Sequence, residues 1–244
     1  MAYKTALVTG ASRGIGRAIA IALAADGYHL VLNCKQNTAS LEALKTSIEL
    51  CYPVTCMTFV GDLGDYHQVT RLFAQLRQRF SSLDVLVNNA GISHVGLLTD
   101  LTPEEWDRLV QTNLSSVFYT CKCAVPIMLE KKSGKIINIS SVWGVAGASC
   151  EAAYSATKGG VNALTKALAK ELAPSNIQVN AIACGAIDTD MNRFLSPEEK
   201  QMLLEEIPAG RMGLPEEVGK LVLDLCTENQ YLTGQVIHLD GGWI

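Results

Sequence analysis

Neither sign of charge dominates this chain. Its 244 residues carry 20 Lys and Arg against 24 Asp and Glu, a formal net charge of −4. That balance leaves no bulk positive field to draw the protein to nucleic acid or anionic lipid. Long apolar runs are missing as well. The longest near the N-terminus, 18–25, lies between Arg17 and Asp26 and is too short to cross a bilayer. The opening Met1-Ala2-Tyr3-Lys4-Thr5 passes directly into a strand-like run with no leader pattern, so the expected location is the cytoplasm. Histidine is scarce: His29, His67, His94 and His238 are scattered, and none pairs with cysteine or carboxylate at a ligand spacing. No metal is expected. Cysteine is not scarce, with eight, but a long, core-rich chain without a leader argues against a secreted disulfide framework. Cys121 and Cys123, two apart on a predicted helix, point to different faces, and the thiols read as free and buried.

What is present is apolar bulk: 48% hydrophobic against 18% charged residues, enough for one large α/β domain with a substantial core. Strand-like runs at 4–9, 28–33, 55–60, 84–88, 134–139, 176–182 and 235–239 alternate with helical stretches. The helical stretches end near residue 25 or cover 40–50, a run beginning near 67, 102–131, a run ending near 172, and 215–226. Thr102-Pro103-Glu104-Glu105 and Ser196-Pro197-Glu198-Glu199 are capping boxes. The second opens a short helix inside an excursion over about 190–213, of the kind that serves as a mobile lid.

The first strand ends in Gly10-Ala11-Ser12-Arg13-Gly14-Ile15-Gly16 before a helix. Glycines let a backbone approach a pyrophosphate, and a helix N-terminus presents unpaired N–H groups to it. The spacing is G-x-x-x-G-x-G, and the flanking strand and helix favour dinucleotide binding. The second strand ends in Asn33-Cys34-Lys35, with no acid to bond a ribose 2′-hydroxyl. Arg13 and Lys35 can both reach a 2′-phosphate, so NADP(H) is expected over NAD. Asp62 follows the third strand, where it either meets adenine or caps the next helix. Asn88-Asn89-Ala90-Gly91 ends the fourth strand and either fixes a turn or lines a ligand crevice.

Tyr154 and Lys158 are four apart in Tyr154-Ser155-Ala156-Thr157-Lys158, one turn apart on one helix face. A phenol titrates near pH ~10, and a nearby cation favours phenolate and moves that value toward neutrality. Ser141 stands thirteen residues earlier, at a strand's C-terminal end. Asn113 interrupts the 102–131 helix, either as a tolerated Asn or as a kink that opens a backbone carbonyl.

These motifs, in this order, resemble the short-chain dehydrogenase/reductase family along essentially the whole chain. Within it, Gly210-Arg211-Met212-Gly213 and Leu232-Thr233-Gly234-Gln235-Val236-Ile237 with Asp240-Gly241-Gly242 look like the 3-oxoacyl-[acyl-carrier-protein] reductase branch. The resemblance implies one Rossmann-like, doubly wound α/β domain over 1–244, a seven-stranded parallel sheet with helices on both faces. It implies Tyr154 as general acid, Lys158 as the group that lowers its pKa and holds the nicotinamide ribose, and Ser141 on the substrate carbonyl. Asn113 would hold a water that relays protons to Lys158. Gly10, Arg13, Gly14 and Ile15 would line the pyrophosphate and adenosine side, with Asp62 at adenine, Asn89 near its ribose, and Ile187 and Thr189 on the nicotinamide amide. Ser12, Asn33, Lys35, Leu63, Ala90 and Gly91 complete the cofactor-facing set.

Three departures from the family pattern stand out. Cys184-Gly185 replaces the usual Pro-Gly, which removes a φ restraint and places a thiol beside the nicotinamide. Lys131 and Lys132 stand where the branch docks acyl carrier protein at the active-site mouth, but the second docking position, near Ser175, is uncharged. The stretch 224–231 is short, and Trp243-Ile244 either packs across an interface of the homotetramer common in the family or caps its own core. The leading expectation is NADPH-dependent reduction of a 3-oxoacyl thioester on acyl carrier protein or CoA, as in fatty acid biosynthesis. Alternatives are reduction of another ketone (acetoacetyl-CoA, a steroid, a polyol-type alcohol) and a non-catalytic cofactor-sensing protein.

Overall fold

A computed structural model describes residues 4–192, 195–227 and 229–244. Seven strands form one parallel sheet: β1 (Thr5–Val8), β2 (His29–Cys34), β3 (Cys56–Val60), β4 (Val85–Asn88), β5 (Gly134–Ser141), β6 (Ile177–Cys184) and β7 (Val236–Leu239). Their order is β3-β2-β1-β4-β5-β6-β7. The main crossover helices are α1 (Gly14–Ala25), α2 (Thr38–Cys51), α3 (Tyr66–Arg79), α4 (Pro103–Val110), α5 (Ser116–Lys131), α7 (Ala152–Leu172) and α9 (Pro215–Thr227). Two shorter helices, α6 (Trp143–Ala146) and α8 (Pro197–Glu206), lie outside this framework.

The strands are largely apolar because both sheet faces are covered. Alternate residues go to opposite sides. Ala6 and Val8 face a core built with Ile19 and Leu23 of α1, Leu41 and Ile48 of α2, and Val218 and Val222 of α9. Leu7 between them faces Leu72 and Leu76 of α3, Val117 and Ala124 of α5, and Val161 and Leu172 of α7. Strand order reverses at β1, which pairs β2 on one side and β4 on the other. Connections leave that point in opposite directions and open a crevice beyond the strands' C-terminal ends.

Two strands run further than their apolar patterns. β5 continues to Ser141 and β6 to Cys184, and these two residues are register partners. Backbone pairing outlasts the hydrophobic signal here and sets the serine beside the thiol.

The stretch expected as one helix over 102–131 is broken. Thr102 and Glu105 form the expected box, and α4 stops at Val110. A π-helical turn, Gln111–Ser115, precedes α5. Asn113 is buried in that turn and brackets a neighbouring loop. Its Oδ1 accepts from Ile92 N–H and its Nδ2 donates to Ile92 C=O, both at 2.8 Å, with a further bond to Thr157 Oγ1 at 3.2 Å. The kinked reading of Asn113 is the one the backbone adopts.

Other sequence readings divide. Asp62 does not cap α3: Asp65 does, accepting from His67 N–H, while Asp62 Oδ1 accepts from Gly64 N–H at 2.9 Å. Ser196 and Glu199 form the second box, and no residue of α8 is buried. That isolated helix fits the excursion expected over 190–213, of which positions 193 and 194 lie outside the described residues. Trp243 packs within its own chain, its ring centroid 4.8 Å from that of Trp143. Lys131 pairs with Asp84, at the N-terminal start of β4. Within one chain it therefore lies at the sheet end opposite the crevice, away from the expected carrier-docking mouth. The reason is geometric: α5 runs antiparallel to the strands, so its C-terminus falls at their N-terminal edge. Among the described residues no helix is long and apolar enough to cross a membrane, and no group of side chains is arranged to hold a metal. All eight cysteines are free.

Candidate active site

The C-terminal ends of β5 and β6 and the first turn of α7 enclose a cavity of about 340 Å³. Ser141, Tyr154 and Lys158 line it, together with Ile187 and Thr189. Each reaches it for a local reason. Ser141 is the last residue of β5, and its Oγ accepts from Trp143 N–H at 3.2 Å. Tyr154 and Lys158 lie on successive turns of α7. The connection after β5 is pressed against that helix. A methyl group at Gly144 would sit 2.7 Å from the Lys158 backbone, and Asn162 Nδ2 donates to Gly144 C=O at 3.0 Å.

Lys158 is almost fully buried. Its Nζ donates to Ile139 C=O at 2.8 Å and lies 5.6 Å from the Tyr154 ring centroid. Burial pushes the ammonium down to about 8, opposed by the nearby Cys184. Below that pH it keeps its charge. The Tyr154 phenol moves the other way. Burial raises it, a hydrogen bond with Ser141 pulls it down, and Glu151 and Cys184 push it up, so it stays above the ordinary tyrosine value. The sequence-based expectation that Lys158 brings this phenol toward neutrality is therefore corrected. The ammonium gives its hydrogen bond to a backbone carbonyl, and desolvation of the phenol outweighs its field. A phenol that holds its proton is the form a general acid needs. Asn113 does not line the cavity, but it adjoins it: a methyl group at Gly91 would lie 3.3 Å from Asn113 Oδ1 and 3.6 Å from Lys158 Nζ.

A second cavity, about 510 Å³, opens on the crevice at the switch point. Gly10, Ser12, Arg13, Gly14, Ile15, Asn33, Lys35, Asp62, Leu63, Asn89, Ala90, Gly91 and Thr189 all line it. Ile15, Asn89, Gly91 and Thr189 also line the first, so the two are continuous. The loop is held by close approach. A methyl group at Gly16 would fall 2.3 Å from Gly10 O, and Gly10 itself has φ +64°. Thr9 Oγ1 accepts from Asn89 N–H and Ala90 N–H, each at 2.9 Å, and Asn89 Nδ2 donates to Thr9 C=O at 2.9 Å. Asn33 Nδ2 donates to Phe59 C=O and Gly61 C=O at 3.2 and 3.1 Å. Asn33 and Asn89 thus fasten the walls as well as lining them.

The two cations expected at a 2′-phosphate have carboxylate partners. Lys35 Nζ is 2.6 Å from Asp62 Oδ2 and Arg13 Nη1 is 3.4 Å from Asp190 Oδ2. Both are exposed, so an entering phosphate can compete for them. Burial raises Asp62, but bonds from Lys35 and Gly64 N–H outweigh it and hold the carboxyl below its usual value. Four further residues matter. Thr9 brackets the glycine loop, and its only sequence signal is a hydroxyl at a strand end. Trp143, Glu151 and Trp243 line the catalytic cavity, and only Glu151 carried a spacing clue, standing three residues before Tyr154.

A profile described as short chain dehydrogenase matches residues 4–200. The chain is 43% identical over 240 residues to the 3-oxoacyl-[acyl-carrier-protein] reductase FabG of Staphylococcus aureus, covering 98% of this chain and 97% of that one. Two solved structures superpose with a TM-score of 0.95. One is YwfH, an NADPH dependent reductase involved in bacilysin biosynthesis, 29% identical and covering 100% of this chain and 99% of that chain. The other is a putative gluconate dehydrogenase from Agrobacterium tumefaciens, 34% identical and covering 99% and 96%. With a parallel sheet reversing at β1 and its serine, tyrosine and lysine gathered at the sheet's C-terminal edge, the chain belongs to the short-chain dehydrogenase family of oxidoreductases.

Proposed function

We propose that this protein reduces a 3-oxoacyl thioester to the 3-hydroxyacyl thioester with NADPH, in the cytoplasm, as a step of fatty acid biosynthesis. The observation that carries the reading is one continuous crevice. It has a glycine loop with two cations at one end and Ser141, Tyr154 and Lys158 at the other. The 43% identity to a 3-oxoacyl-[acyl-carrier-protein] reductase over nearly the full length supports the substrate class.

The residues fit the cofactor. Close packing at Gly10 and Gly16 sets the loop against the N-terminus of α1, the end of a helix that favours a pyrophosphate. Arg13 and Lys35 stand where a 2′-phosphate selects NADP over NAD. Gly14, Ile15, Ile187 and Thr189 shape the passage toward the catalytic end. Bound NADPH supplies the hydride.

The chain's own groups do the rest. Ser141 and Tyr154 hydrogen-bond the ketone oxygen and orient its carbon toward the nicotinamide side. Tyr154 transfers its proton as negative charge develops on that oxygen. Lys158 stabilises the phenolate left behind and holds the nicotinamide ribose. Asn113, bound to the loop at Ile92, holds the water through which Lys158 and Tyr154 are reprotonated.

Assembly as a homotetramer is part of the proposal, supported by Phe118 and Leu129, which stay 48% and 40% exposed on α5. A second reading, a ketone not delivered by acyl carrier protein, is favoured by Lys131, which lies at the far end of the sheet. Loss of NADPH absorbance with an acetoacetyl thioester tests the function. Turnover with NADPH well above NADH is expected. Binding of NADPH without turnover of any ketone would instead indicate a cofactor-binding protein.

A further inference from the structure

The cavity beyond Tyr154 holds a carboxylate that the reaction above does not use. Glu151 immediately precedes α7 and lines the space shared by Ser141, Tyr154 and Cys184. It shares that wall with two aromatic rings. The Trp143 indole draws the Glu151 carboxyl down against the raising effect of burial, and the Trp143 ring packs edge-on against Trp243, with centroids 4.8 Å apart and planes at 62°. Both rings line the same cavity. Residues from α6, the α7 lead-in and the C-terminus therefore make one acidic, aromatic surface facing the ketone site.

Among the described lining residues, Glu151 and Lys158 are the only charged ones. Lys158 stands with the catalytic hydroxyls, one helical turn beyond Tyr154 on α7. It is almost fully buried, and its Nζ gives one hydrogen bond to Ile139 C=O. A substrate group between the tryptophans and Tyr154 thus meets a fixed negative charge in a partly desolvated space, where like-charge repulsion is strong.

We propose that Glu151 is a specificity-determining residue that rejects ketones carrying a carboxylate close to the reacting carbonyl and restricts the site to uncharged acyl derivatives. The inference rests on the ketone-reduction reading and deepens it. Desolvation holds the Glu151 carboxyl above its ordinary value, and the Trp143 indole opposes this.

The test compares one acyl group in two charge states. The probes are S-acetoacetyl-N-acetylcysteamine, a neutral 3-oxoacyl thioester, and acetoacetate, the corresponding free anion. The ratio of their kcat/KM values, anion over neutral, is measured for the natural protein and for Glu151→Gln. The ratio of their dissociation constants is measured in parallel from tryptophan fluorescence, which needs no turnover. In Glu151→Gln the anion-to-neutral ratio is expected to rise about tenfold or more in kinetics and in binding. Because each ratio is internally normalised, partial loss of folded protein does not imitate that result. A ratio unchanged by the substitution overturns the inference. If neither compound is reduced but the binding ratio still shifts tenfold, the reduction reading fails and the specificity role of Glu151 stands.

Discussion

At the level of single residues, the site depends on two groups moved in opposite directions by the same burial. Lys158 is pushed down to about 8 and the Tyr154 phenol is pushed up. Tyr154 therefore keeps a proton to donate across the neutral range, while Lys158 keeps the charge that receives the phenolate only below about pH 8. Ketone reduction is expected to be flat below that pH and to fall above it, and a kcat profile from pH 6 to 10 checks this. Lys158→Met is expected to lose the step at about 8 along with most of the rate. Cofactor choice belongs to this scale too. Arg13→Ala with Lys35→Ala is expected to weaken NADPH binding by about 10–100-fold and NADH binding far less, because only the former carries the extra phosphate. Comparable losses for both dinucleotides would remove these residues from discrimination.

At the level of elements, the buried amide of Asn113 does the work that a continuous helix cannot. By satisfying both polar groups of Ile92 it fixes the loop after β4 beside Lys158. Asn113→Ala is expected to destabilise the fold by about 2 kcal/mol, since it leaves a partly buried N–H and C=O unpaired, and to slow turnover beyond what stability explains. Chemical denaturation and kcat together separate the two effects. Thr102→Ala, which removes only a cap, is expected to cost about 1 kcal/mol and leave kcat unchanged. These two positions also show what the sequence exposes and what it hides. The box at Thr102 is local chemistry and reads directly from four residues. The π turn at Asn113 is a tertiary demand, visible beforehand only as a polar residue in an apolar stripe. Ser141 read as a strand end, but its pairing with Cys184 was hidden because the backbone ladder extends past the hydrophobic pattern. The glycine loop and the Tyr154–Lys158 turn were legible because their spacing is set within one element. The Trp143–Trp243 contact was not, because it joins residues a hundred positions apart.

At the level of the whole molecule, a reversed strand order gathers these residues into one crevice, and a thiol-rich core surrounds it. Cys56, Cys121, Cys184 and Cys226 are each pushed up to about 12 by burial. For an acid whose folded value lies above its unfolded one, the native state holds the proton longer, so stability falls as pH rises between the two. Lys158, held below its unfolded value, has the opposite slope between about 8 and 10.5. Each pH unit between folded and unfolded titration is worth about 1.4 kcal/mol, so four thiols outweigh one lysine. Thermal midpoints are expected to fall steadily above pH 9, a trend that calorimetry at constant ionic strength measures. The central claim is that the Tyr154 hydroxyl delivers the proton that completes ketone reduction. Steady-state oxidation of NADPH by Tyr154→Phe with an acetoacetyl thioester tests it most directly. The account predicts a kcat lower by about a thousandfold with NADPH binding retained, and a rate equal to that of the natural protein would contradict it.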